Sequence, residues 1–153
     1  MVADSLWPSV YGGWVLVVLG LTIATDSAAL IKTGMVLLLA WAVCNLIVVT
    51  SGHAQAPLLI PAADAIFAAL AAAITVQDRS KVAATIFGLY VLVALLHVSA
   101  FFTHTQGSYF YFAAHNVLFF LQTVVVGGAG AWGCLAGWYN RSRLFPRHRA
   151  RVS

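Results

Sequence analysis

Five apolar runs separated by brief polar breaks constrain this chain more than any other feature. They cover about residues 8–25, 34–50, 57–76, 82–103 and 109–139. Each is near or above the roughly 17 to 25 residues that cross a bilayer as a helix, the conformation that satisfies every backbone polar group without water. The breaks fall at Asp26-Ser27-Ala28-Ala29, at Ser51 to Ala56, at Gln77 to Lys81 and at His104 to Ser108. Connections this short make consecutive helices antiparallel neighbours. The expectation is an all-α integral membrane protein, an up-down bundle of about five transmembrane helices over residues 1–139, with a basic tail at 140–153.

Composition excludes the soluble alternative. The chain is 62% hydrophobic and only 8% charged, with mean hydropathy +0.94, where a soluble domain carries about a quarter charged residues. The lipid bilayer is therefore the first partner expected. A nucleic-acid partner is not, because no folded basic face lies outside the apolar runs.

Charge placement sets an expected orientation. With the N-terminus outside and the C-terminus cytoplasmic, the inner segments hold Lys32, Arg79, Lys81, Arg141, Arg143, Arg147, Arg149 and Arg151, which is every Lys and Arg in the chain. That obeys the positive-inside rule without exception and suggests a cell membrane, a bacterial inner membrane in the simplest case. The tail arginines, from Arg141 to Arg151, fit either a topological stop signal or contact with anionic headgroups. A cleaved signal peptide is not expected at the first run, which has Asp4 and no basic residue before it. Aromatic residues mark both interfaces: Trp7, Tyr11, Trp14 and Tyr109 to Phe112 outside, Trp138 and Tyr139 inside.

Polar residues inside the apolar runs carry the functional expectation, since ionisable groups there are costly and face a partner or a cavity. Counting from the outer ends at 1.5 Å per residue puts Asn45, Asp64, His97 and His115 at one level, roughly 8 to 10 Å deep. Asn116 lies beside them, and Gln122 lies deeper on the same helix. At 100° per residue, Asp64 shares a face with Ala68, Ala71 and Thr75, with Ala65, Ala69 and Ala73 one step round. His97 shares its face with Tyr90, Ala94, Ala100 and His104. His115 lines up with Gln122, Ala129 and Gly133, and Gly133 with Gly137 forms a small-xxx-small pair suited to close helix packing.

Two histidines at equal depth on consecutive helices could flank a b-type haem or share a transition metal, with His53 and His104 at the rim. The blander account is that the polar residues only lock helices together by hydrogen bonds. Cys44 and Cys134 fall toward opposite leaflets, so no disulfide is expected. No HExxH, GxSxG or P-loop pattern occurs, and no catalytic residue is assigned.

Three functions follow as expectations. The first is a small bundle that handles protons, ions, or a bound metal or haem through the polar cluster. The second is a non-catalytic membrane subunit or assembly factor, with Gly133 and Gly137 packing against a partner protein or a second copy. The third is a holin-like permeabilising protein, for which the buried polar layer is more elaborate than needed.

Overall fold

The computed structural model describes residues 3–106 and 108–144, without the side chains of 3–9, 52–55, 57 and 141–144. The described residues form four helical elements and no strand: α1 (Ala3–Ile23), α2 (Ala28–Asp78), α3 (Lys81–Phe102) and α4 (Tyr109–Leu144).

Element α2 has 51 residues and would be about 75 Å long if straight. It is not straight. Lys32 Nζ, near its start, lies 2.9 Å from Asp78 Oδ2 at its end. The element therefore doubles back into two antiparallel arms, Ala28–Ser51 and Leu58–Asp78. Pro57 lies between them and, as a proline, offers no N–H to the carbonyl four residues earlier. A loop is expected here from the sequence; helical backbone runs through it instead.

The chain thus makes five passes. Four stretches are long and apolar enough to cross a membrane: Ala28–Ser51, Leu58–Asp78, Lys81–Phe102 and Tyr109–Asn140. In α1 the described apolar stretch is Val10–Ile23.

The connections before α2 and α3 are shorter than the sequence suggests, because serines start these two helices early. Ser27 caps α2 by accepting from Leu30 N–H, and Ser80 caps α3 by accepting from Ala83 N–H. Ser108 accepts from Tyr111 N–H at the start of α4. Lys32, expected in a loop, consequently lies on the helix. The preceding ends close through non-glycine residues in the left-handed region, Asp26 (φ 58°), Arg79 (φ 49°) and His104 (φ 55°), each at a cost of about 1 kcal/mol.

One core residue from each pass meets in a single cluster: Val18, Leu37, Phe67, Ile86 and Val126. Element α1 packs on α4 through glycines that let the backbones close. A Cβ on Gly130 would sit 3.0 Å from Leu21 Cβ and 3.1 Å from its carbonyl carbon, and one on Gly133 would sit 2.8 Å from Thr25 Cγ2. Gly137 meets nothing within 4 Å. The expected Gly133–Gly137 pair is therefore split, because Gly133 is used within the chain. Trp14, expected as an outer-interface marker, also ties α1 to α4 by donating to Thr123 Oγ1 at 2.9 Å.

The described basic residues gather at one end, where Lys32 pairs with Asp78 and Arg79 and Lys81 follow. Asp64 is fourteen residues from Asp78 along the second arm of α2, about 21 Å away. That distance separates the charged end from the site.

Candidate functional site

Three helices bring one carboxylate and two imidazoles together. Asp64 Oδ2, on the second arm of α2, lies 2.9 Å from His97 Nε2 on α3 and 2.8 Å from His115 Nε2 on α4. Asp64 and His97 are buried, and the His115 side chain is 15% exposed. The imidazole centroids are 5.6 Å apart. Asp64, His97 and His115 each offer one ligand atom, and these atoms lie within 4.8 Å of one another.

A fourth residue completes the arrangement. Tyr111 Oη lies 2.8 Å from His97 Nδ1, and its ring sits 5.7 Å from His97 and 6.5 Å from His115. With Nε2–H donating to Asp64, Nδ1 accepts from the tyrosine hydroxyl. With Nε2 used as a ligand atom, Nδ1–H donates to the same hydroxyl. Either tautomer is satisfied, and the ring is held in one orientation. The sequence shows Tyr111 only as an interfacial aromatic. The missed signal is its spacing: it precedes His115 by four residues and so shares that face of α4.

The remaining expected members do not join the triad. Asn45 Nδ2 donates to the carbonyl of Trp41 in its own helix at 2.7 Å, as polar side chains without a nearer partner often do. Asn45 and the exposed Asn116 line a cleft instead. This cleft of about 520 Å³ runs between both arms of α2 and α4, and Asp64 and His115 form its polar wall with Cys44 beside them. Gln122 is buried deeper, at 1% exposure.

His104 is exposed and spent on closing α3: its own N–H reaches Phe101 O, and the Thr105 N–H reaches Ala100 O at 3.0 Å. The His53 side chain, the Arg141 and Arg143 side chains, and Arg147, Arg149 and Arg151 lie outside the described residues. Ala71, Tyr90 and Ala100 are buried, whereas Ala65, Ala69, Ala73 and Ala94 are exposed. Cys44 and Cys134 are both free.

The geometry separates the cofactor options. A haem between the two imidazoles would need its iron where Asp64 Oδ2 sits, and its macrocycle would displace that carboxylate. A small cation needs only a slight opening of the same three contacts. Two histidines and one carboxylate from three rigid elements match donor sets used for divalent first-row metals.

Electrostatics favour a cation as well. Lys32, Arg79 and Lys81 lie at the far end of the bundle, about 21 Å along the helix from Asp64, so an ionised carboxylate buried there would need a closer counter-charge. A protonated imidazole or a bound metal ion supplies one.

The chain matches no protein-family model, no curated protein and no solved structure, so the functional argument rests on the site itself.

Proposed function

We propose that this chain is a five-span membrane protein that binds a divalent first-row metal ion at Asp64, His97 and His115. The carrying observation is the convergence of three ligand atoms from three helices within 4.8 Å. Tyr111 supports it by fixing the His97 ring through the nitrogen that a metal does not use, the position at which ligating histidines are held by an outer hydrogen-bond partner. Three protein ligands leave a fourth position open, as in zinc sites that exchange water or substrate. The cleft lined by Asn45 and Asn116 supplies room for that position.

A neutral imidazole frees Nε2 for the metal by carrying its proton on Nδ1, with no net release, whereas an imidazolium beside Asp64 must lose one, so proton release on uptake reports replacement of that imidazolium by the ion. The proposed orientation has the N-terminus outside and the C-terminus cytoplasmic. It rests on the confinement of every Lys and Arg to the inner segments, and it opens the site toward the outer leaflet.

A structural lock is the competing account, because the same contacts tie the second arm of α2 to α3 and α4. It requires no metal. Calorimetric titration of zinc into the purified, chelator-treated chain in mild detergent separates the two. The expected result is one ion per chain with proton release. Affinity should weaken on acidification, as protons compete for the ligand atoms, and binding should be lost in Asp64→Asn. Absence of binding, or binding unchanged in Asp64→Asn, would leave only the lock.

A further inference from the structure

Two polar groups in the core stand apart from the triad. Tyr90 Oη and Gln122 Nε2 are fully buried, in residues only 3% and 1% exposed, and neither has a hydrogen-bond partner among the described residues. An orphaned buried donor costs roughly 1 to 3 kcal/mol. Two of them in one small bundle call for a shared explanation.

Their positions supply it. Tyr90 is seven residues before His97 on α3, and Gln122 is seven residues after His115 on α4. These helices run antiparallel across a short connection, so both steps lead the same way, away from the triad. Seven residues advance a helix by about 10.5 Å and rotate it by only about 20°. Each orphan therefore lies beneath a triad histidine, on nearly the same face and at a common depth. Val126, one turn beyond Gln122, packs in one cluster with Tyr90, so both residues face the same core. Tyr90 also lies within electrostatic reach of Asp64 and of Cys44 in the cleft wall.

We infer that Tyr90 and Gln122 hold an internal water site two helical turns below the triad. A phenol donates and accepts, and an amide NH₂ donates twice, which suits a water that needs two to four partners. This inference stands on the two orphaned groups and does not require a metal at the triad.

Hydroxyl-radical labelling of the full chain in ¹⁸O-enriched water tests it, because radicals formed from bound water modify the side chains they touch. Tyr90 should be labelled well above Phe67, a core aromatic that is slightly more exposed than Tyr90, and Gln122→Leu should lower Tyr90 labelling several-fold. Labelling of Tyr90 no higher than that of Phe67 would overturn the inference. So would labelling indifferent to Gln122→Leu. Because Gln122→Leu also alters packing, Tyr90→Phe provides an independent check by thermal denaturation. Loss of a water-mediated bond should lower the midpoint, whereas a raised midpoint would mean that the hydroxyl was an unsatisfied burden.

Discussion

At the scale of single residues, the site is a carboxylate oxygen shared by two imidazoles, and its quality depends on how firmly those rings are aimed. Tyr111 aims His97. Replacing it with phenylalanine keeps the ring packing and removes only the hydrogen bond at Nδ1. Outer partners of ligating histidines contribute about 10- to 100-fold in metal affinity. Tyr111→Phe should therefore weaken zinc binding by about that factor without unfolding the bundle, which calorimetry beside a thermal melt would check. An unchanged affinity would remove Tyr111 from the site. Of the triad, Asp64, His97 and His115 were legible in the sequence because depth along a helix is a matter of counting. What could not be read was how an amide chooses between its own backbone and a neighbouring helix. Asn45 chose its own turn, bonding Trp41 O. Tyr111 was hidden for a related reason, since tyrosine is common at a membrane edge and its hydroxyl declares no partner.

Among the elements, the relation of α1 to α4 is the most exacting. Gly130 faces backbone atoms of Leu21 and Thr22 that cannot move aside, while Gly133 faces a single side chain and Gly137 faces open space. Gly130→Ala should destabilise the protein by about 1 to 3 kcal/mol, the usual cost of overpacking. Gly137→Ala should be neutral or stabilising by up to about 1 kcal/mol, because alanine favours helix. Denaturation of both variants in the same detergent would decide; equal effects would contradict the observed packing. The sequence marks the right segment, a glycine-rich stretch of α4, but the choice of partner rests on the rotation of α1. A difference of one helical step moved the contact from the 133–137 pair to Gly127, Gly130 and Gly133. The doubled α2 was legible as two runs. That the helical backbone would continue through Ser51 to Ala56 was not, because the polar residues there read as a break between two apolar runs.

At the scale of the whole molecule, the described basic side chains and the site lie at opposite ends. Lys32, Asp78, Arg79 and Lys81 mark one end, and the reversals at 52–57 and 103–108 mark the other, near the triad. The proposed orientation makes the first end cytoplasmic. In a cysteine-free background, a cysteine placed at the exposed Thr105 should react with an impermeant thiol reagent in intact cells, and one at the exposed Arg79 only after permeabilisation. The reverse pattern would turn the protein over and direct the cleft to the cytoplasm. The central claim concerns the triad. Zinc K-edge X-ray absorption of the zinc-loaded chain tests it most directly: the account predicts two imidazole nitrogens and oxygen ligation at about 2.0 to 2.2 Å, with the imidazole signal falling by half in His115→Ala. A spectrum without imidazole scattering, or one unaltered by His115→Ala, would contradict it.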